Sequence, residues 1–356
     1  MAIKIGGRIK NMQYINVTGF ASTGSSAVVD LLKEYSCIGT YEKEYTYEHT
    51  FLSHPEGLFE TAERLETQFF GLHTDVTIRR FAQKSRDILN SFGGTVFWNG
   101  EKREKYIESV NQYIEQICTK EGEYVSCVEE MNFWRRKFEM FSILLGKISL
   151  VRKIYPQKYG WYTLKVDSEE LKYYTKKLFY QYLDIVIDEV QKKKKYYVFD
   201  GLVSVPHLNY ISADNFKSIV VLRDPRDRYL GEMLIKDSGE GVSIVPVEPQ
   251  LYCANYKSAV SVLKKQNKNN YFLVYFEDLI MNYDKTVSEI EEFLNLEPTE
   301  HDINAGNILN INISRSNCQL YKREDLREKY KAELEIIEKN LKEYLYIENA
   351  NRKSVV

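Results

Sequence analysis

No segment of this chain approaches the ~18 consecutive apolar residues that a bilayer-spanning helix requires, and the basic residues near its start (Lys4, Arg8, Lys10) are not followed by the apolar stretch of a secretory leader. A protein without an integral membrane segment, located in the cytoplasm, is expected. Charge of one sign is equally lacking: 49 Lys and Arg against 51 Asp and Glu leave a net charge of −2. No overall field draws the chain onto nucleic acid, and any anion it binds has to be held by local groups. The five cysteines (Cys37, Cys118, Cys127, Cys253, Cys318) are scattered and form no C-x-x-C pair, which excludes a disulfide framework and fits a reducing compartment. The five histidines are as scattered, and no Cys/His cluster has ligand spacing, so no metal site is expected.

What the chain does have is core. With 356 residues, 44% of them apolar and 13% aromatic, it can bury a large interior, and a single domain over 1–356 is the expectation. Near the start, Tyr14 to Val17 is a short apolar run, and Ala27, Val28, Leu31 and Leu32 have the spacing of a helix face. Between them lies Gly19-Phe20-Ala21-Ser22-Thr23-Gly24-Ser25-Ser26. This reads as strand, loop and helix, with the glycine spacing of a G-x-x-x-x-G-K-[ST] loop, whose backbone N–H groups and helix N-terminus wrap an anion. The lysine of that motif is missing and Ser25 is followed by Ser26. Two short hydroxyl donors suit one compact anionic group better than a magnesium triphosphate. The plainer reading is a turn whose glycines serve only positive φ and close packing.

Further along, His54-Pro55-Glu56-Gly57 is a turn signal, and the residues from Leu58 to about Leu145 read as helices: Thr74–Phe92, Glu101–Cys118 and Met131–Leu145. A helical insertion over roughly 60–155 is expected, with a strand only at Tyr159–Val166. A long helix, Ser168–Lys195, carries Leu171, Leu178, Tyr182 and Val186 near 3.6 spacing, and its basic end, Gln191–Lys195, is expected as a solvated C-terminus. Tyr196–Phe199, Ser218–Leu222 and Tyr271–Phe276 are then short apolar runs, each followed by helix-compatible sequence. Such alternation predicts an α/β fold, a parallel sheet of four to five strands flanked by helices, with ligands at the carboxyl ends of the strands. Glu324–Tyr346 is expected as a C-terminal docking helix.

The run Leu222-Arg223-Asp224-Pro225-Arg226-Asp227-Arg228 sets three arginines at the end of a buried strand and the start of a helix. Pro225 suits an early helical position. Arg223 stands where the strand stops, and a guanidinium matches a terminal phosphate through paired N–H···O bonds. The alternative is a network in which these arginines pair with Asp224, Asp227 or Glu232.

Taken together in this order, "GFASTGSSAVVDLL", "VVLRDPRD", "YFEDL" followed by "FLNL", and "ISRSNCQLYK" at Ile313–Lys322 resemble the sulfotransferases that use 3′-phosphoadenosine 5′-phosphosulfate (PAPS), in particular bacterial, carbohydrate-type members. The resemblance covers most of the chain apart from about 60–155. It implies a nucleotide-binding fold of the P-loop type, a nucleotide sulfate donor held by Gly19, Ser22, Thr23, Gly24, Ser25 and Ser26 at its 5′-phosphosulfate and by Arg223 at its 3′-phosphate, and release of adenosine 3′,5′-bisphosphate (PAP). Ser314 and Arg315 are implied in the late loop that closes over the nucleotide. No metal is required, since a sulfuryl group carries less charge than a phosphoryl group and positioning with charge stabilisation does most of the work. A glycan is the implied acceptor.

Two departures from the family's pattern stand out. Its loop usually carries Lys or Arg beside the donor's bridging oxygen, and Ser22 occupies that place; Lys43, Arg79 and Arg80 are the candidate substitutes. A Ser is often found eight residues after the phosphate-binding arginine, and that position is Gly231. Two residues compete as the base. Glu44, 25 residues after Gly19, has a spacing similar to that of the catalytic glutamate in heparan-sulfate sulfotransferases. His207 follows the strand ending at Asp200, as a histidine does in cytosolic members, and imidazole is well tuned near neutral pH. Two other functions stay open on the residues alone. One is a small-molecule kinase with Asp200 holding magnesium beside Ser25 or Ser26; the other is a non-catalytic nucleotide- or glycan-binding module of the same fold.

Overall fold

A computed structural model describes residues 12–40, 51–53, 55–67, 71–90, 100–124, 137, 141, 159–187, 190–211, 215–239, 241, 243–302 and 308–347. Among these the strands are β1 (Gln13–Gly19), β2 (Ile38–Thr40), β3 (Cys118–Tyr124), β4 (Tyr159–Leu164), β5 (Tyr196–Asp200), β6 (Phe216–Leu222) and β7 (Tyr271–Tyr275). The principal helices are α1 (Ser25–Leu32), α2 (Leu58–Thr67), α3 (Gly71–Asn90), α4 (Gly100–Ile117), α5 (Ser168–Val186), α6 (Pro225–Ser238), α7 (Pro249–Lys264), α8 (Phe276–Met281), α9 (Tyr283–Leu294), α10 (Ile311–Ser316), α11 (Glu324–Lys329) and α12 (Lys331–Asn340). The chain forms two compact units, Met1–His49 with Ile187–Val356, and Thr50–Val186.

The first unit is built on a five-stranded parallel sheet of order β2-β5-β1-β6-β7, so the expected α/β architecture is found. β1 is central and both of its faces are covered, which is why Tyr14, Ile15, Asn16 and Val17 are all buried rather than alternating with water-facing residues. Ile15 and Val17 pack with Val28, Leu31 and Leu32 of α1, Val198 of β5, Ile219 and Val221 of β6, and Leu279 of α8. A second cluster joins Tyr229, Leu230 and Met233 of α6 to Tyr252 and Tyr256 of α7 and to Leu334 and Ile337 of α12. Two consecutive helices of this unit start as their sequences dictate. Asp224 caps α6 by accepting from Arg226 N at 2.8 Å, with Pro225 in the first position, and Glu248 caps α7 ahead of Pro249.

Two helices are shorter than their periodicity predicts. α5 ends at Val186, and Gln191–Lys193 is a 3-10 turn; in the basic run Lys193 and Lys195 are exposed, Lys194 Nζ donates to Ser36 O at 2.7 Å and Lys195 Nζ lies 3.9 Å from Glu300. The C-terminal stretch is broken twice. Tyr330 (φ −114, ψ 30) leaves helical geometry, burying its ring while its hydroxyl donates to Asp237, and Leu341 (φ −115, ψ 22) closes α12.

The second unit packs α2, α3, α4 and α5 with an antiparallel pair of strands, β3 against β4, in which Cys118 faces Leu164 and Thr119 faces Thr163. β4 lies where a strand is expected; β3 interrupts what reads as an all-helical insertion, because a polar two-stranded ribbon has no apolar alternation to betray it. Aromatic side chains supply its core: Phe51 lies 4.8 Å from Tyr182 and 5.1 Å from Tyr106, and the Tyr113 and Thr175 hydroxyls meet at 3.1 Å. Met131–Leu145 falls outside the described residues apart from Lys137 and Phe141.

One polar side chain in the central strand ties the sheet to the segment after β5. Asn16 is fully buried; its Nδ2 donates to Val203 O and its Oδ1 accepts from Val203 N, each at 3.0 Å. Asn16→Leu would leave both backbone groups unsatisfied in an apolar setting, so denaturant unfolding should show a loss of roughly 2 to 4 kcal/mol. A loss below ~1 kcal/mol, the worth of a single ordinary hydrogen bond, would show that Leu202, Val203 and Val205 hold the segment by packing alone.

Candidate active site

β1 delivers its last residue, Gly19, into the loop, and α1 starts at Ser25. The turn is tight because three residues take positive φ: Ala21 (21°), Ser22 (57°) and Gly24 (86°). Glycine is required at both ends for lack of space. A Cβ on Gly24 would lie 2.5 Å from Phe276 Cδ2, and one on Gly19 would lie 2.7 Å from Val221 O and collide with Thr23 Oγ1. Among the described residues no hydrogen-bond partner is found for the backbone N–H groups of Thr23, Gly24, Ser25 and Ser26. No side chain caps α1, and its first turn holds no acidic residue. The helix N-terminus is thus left uncapped from within its own segment, as an anion-binding end requires. Ser25 Oγ donates to Asp200 Oδ1 at 3.4 Å, and Ser22 Oγ donates to Glu232.

β6 lies beside β1 and places Arg223 at the mouth of this loop. The guanidinium is buried, stacked 5.1 Å over the Phe276 ring, and it donates to two carbonyls, Asn317 O at 2.6 Å and Ser22 O at 3.4 Å. Its Nε has no hydrogen-bond partner among the described residues. The surrounding carboxyl groups are engaged elsewhere. Asp224 takes Arg226 in a paired contact (Nη2 at 2.7 Å, Nε at 3.0 Å) and accepts from Tyr346 N; Asp227 accepts from Gln319 N and Tyr321 N; Glu277 Oε1 accepts from Asp224 N at 2.8 Å. Burial, with Asp224 adding repulsion, pushes Glu277 up to about 8. Burial and then Asp224 likewise raise Asp227 to about 6. Near neutral pH Glu277 is thus uncharged and does not neutralise the arginine. The network reading of the three arginines holds for Arg226 and fails for Arg223.

The sulfotransferase domain family model matches residues 160–340, just over half of the chain. The chain belongs to the sulfotransferase domain family. No curated protein matches it. Among solved structures it is similar to a sulfotransferase domain from the curacin biosynthetic pathway (12% identity, 93% of this chain and 98% of that one, TM-score 0.36) and to sulfotransferase STF9 from Mycobacterium avium (11% identity, 97% and 79%, TM-score 0.35).

In this sulfotransferase the loop residues Gly19, Ser22, Thr23, Gly24, Ser25 and Ser26 and the strand-end Arg223 lie in one place. Gly231 faces the same guanidinium: a Cβ there would lie 3.6 Å from Arg223 Nη1, so a serine hydroxyl at this position would stand beside the arginine. Ser314 and Arg315 sit on α10, one turn before the Asn317 carbonyl that holds Arg223; Arg315 is exposed, and neither side chain bonds to Arg223. His207 ends a 3-10 turn after β5, buried, with Nδ1 3.1 Å from Ser204 Oγ. Arg79 and Arg80 belong to the second unit, where Arg79 pairs with Asp75 at 2.7 Å and Arg80 lies 3.8 Å from Glu56. Glu44 and Lys43 lie outside the described residues. Sequence reasoning missed Glu277 and Asn317, whose parts are assigned by tertiary contacts; it offered Asp227 only as a partner for the arginines, not as an acceptor for Gln319 N and Tyr321 N, and gave Arg228 no role of its own.

The native state holds a proton on Glu277 that the unfolded chain, with an ordinary value of 4.5, releases. Stability contributed by this group is present below about 4.5 and is lost as pH rises through about 8. Asp227 acts in the same direction over the lower window, from 3.8 to about 6. Glu277→Gln keeps the acceptor for Asp224 N and removes this titration. Thermal unfolding between about pH 5 and 8 should show the variant losing less Tm with rising pH than the unaltered protein; parallel curves would contradict the burial of an ionisable Glu277.

Proposed function

We propose that this sulfotransferase moves a sulfuryl group from PAPS to a hydroxyl or amine of an acceptor, with a carbohydrate as the acceptor class, and releases PAP. The observation that carries the donor is Arg223: a buried guanidinium whose Nε has no partner among the described residues, hydrogen-bonded to carbonyls, beside a loop in which the N–H groups of Thr23, Gly24, Ser25 and Ser26 have no partner among the described residues. These groups fit a nucleotide with an anion at each end. The family generally uses PAPS. Its matched region, 160–340, runs across the boundary between the two units at 186 and 187, which supports one sulfotransferase domain over the whole chain.

In this reading Arg223 binds the 3′-phosphate, and Ser314 and Arg315 stand by in the late loop. The loop N–H groups, with Ser25 and Ser26, hold the phosphosulfate and take up charge on the bridging oxygen as its bond to sulfur breaks. The acceptor oxygen or nitrogen attacks sulfur in line and loses its proton to a base, Glu44 or His207. The carbohydrate class rests on the likeness of the Glu44 spacing to heparan-sulfate sulfotransferases.

Incubation of the purified protein with PAPS and a panel of glycans, phenols and amines, read by mass spectrometry, should yield a glycan that has gained one sulfuryl group. Product on phenols alone would move the acceptor class, and no product on any acceptor together with no PAP binding would overturn the donor. On the acceptor so found, Glu44→Gln should lower kcat by ~10²- to 10⁴-fold at nearly unchanged donor affinity, the range for a general base, while His207→Gln should change little. The reverse pattern would assign the base to His207.

A further inference from the structure

The loop of this enzyme has no lysine, yet a second buried cation is attached to it. Arg228, one turn into α6, is 3% exposed, and its Nε donates to Ala21 O at 2.9 Å. Among the described residues its Nη1 has no hydrogen-bond partner, and no ion pair includes Arg228. The guanidinium carbon lies 5.7 Å from the Tyr252 ring and 5.9 Å from the Tyr256 ring; the two hydroxyls donate to Pro225 O and Arg223 O, and the neutral Tyr252 hydroxyl also interacts with Arg228. Glu232, one turn further along α6, uses its oxygens on Ser22 Oγ, Ser243 Oγ and Ile244 N. Arg226, by contrast, is buried against a paired carboxylate. A buried guanidinium without an anion is strongly unfavourable for folding alone.

The geometry of a peptide says what this cation does. In a trans peptide the C=O and the N–H point in opposite directions. A guanidinium bonded to Ala21 O therefore turns the Ser22 N–H away from itself, toward the opposite side of the loop, and holds Ala21 and Ser22 in their positive-φ conformation. The same contact polarises the peptide, which makes that N–H a stronger donor in a low-dielectric setting. We propose that Arg228 is the positioning residue that replaces the missing loop lysine, acting through the Ala21–Ser22 peptide so that the Ser22 N–H meets the charge developing on the donor's bridging oxygen. The inference rests on the donor assignment above.

Arg228→Met keeps an unbranched stem between the two tyrosines and removes the charge; Arg228→Lys keeps the charge. With PAPS and the acceptor found above, the methionine variant should lose ~10²-fold or more in kcat, the scale of one transition-state donor, with the donor KM changed by less than about threefold, and its ligand-free Tm should not fall below that of the unaltered protein. The lysine variant should recover at least about tenfold of the lost rate. A methionine variant with kcat within about threefold of the original overturns the inference, as does a lysine variant no faster than methionine. If methionine prevents folding, the lysine variant decides: kcat within about tenfold at unchanged Tm supports the role, and a hundredfold loss at unchanged Tm overturns it. An unaltered protein that neither binds PAP nor turns over contradicts the donor reading itself, which separates the two failures.

Discussion

Arg223 is buried beside three carboxyl groups and pairs with none of them. Asp224 is committed to Arg226 and to Tyr346 N, Asp227 to two backbone N–H groups, and Glu277 keeps a proton near neutral pH. Guanidinium groups in protein interiors are usually matched by an ionised partner, because leaving one unmatched costs several kcal/mol after relaxation. Here the protein spends its carboxylates on other donors and gives the arginine carbonyls as its hydrogen-bond partners, with the field of Arg223 felt by Asp227 but no ion pair between them among the described residues. The outcome is a fixed positive site in a low-dielectric setting, where Coulomb attraction to a phosphate is far stronger than in water.

The rest of the first unit can be understood as what keeps that arrangement in register. The parallel sheet sets the ends of β1 and β6 side by side, so the loop and Arg223 emerge next to each other. The late segment is hung at both ends on buried carboxylates: Glu34 accepts from Ile308 N at 3.0 Å, Leu309 N at 2.9 Å and His301 Nε2 at 2.8 Å, and Asp227 accepts from Gln319 N and Tyr321 N. Between these anchors lie α10 and the Asn317 carbonyl that fixes Arg223. A carboxylate that accepts several backbone N–H bonds contributes rigidity as well as charge, and it holds non-helical chain where a functional loop is needed.

The parts of this arrangement that the sequence discloses are the local ones. Buried parallel strands leave short apolar runs, and a loop between strand and helix leaves glycines; both patterns survive without knowledge of neighbours, so the sheet is legible before the structure is. Partner choice is not local. Nothing in the run from Arg223 to Arg228 says that Arg223 takes two carbonyls or that Arg228 reaches back to Ala21, because those partners lie up to 207 residues away. The same reason hides the protonation of Glu277, which depends on burial beside Asp224. The break at Tyr330 is also tertiary: helix periodicity continues through it, and the pull of Asp237 on the tyrosine hydroxyl does not show in spacing. Of the 28 tyrosines, which could have lined a sugar groove, Tyr14, Tyr35, Tyr106, Tyr113, Tyr182, Tyr196, Tyr197, Tyr229 and Tyr252 are among the largest fully buried side chains. Core packing is their first use.

The central claim is that Arg223 is a charge reserved for a terminal phosphate, and calorimetric titration of Arg223→Ala with two nucleotides tests it most directly. PAP carries the 3′-phosphate, and adenosine 5′-phosphosulfate lacks it. The account predicts that the variant loses ~2 to 4 kcal/mol of affinity for PAP, the cost of removing one partner of a desolvated charge pair, while its affinity for adenosine 5′-phosphosulfate stays nearly the same. Equal losses for both nucleotides, or no loss for PAP, would contradict it.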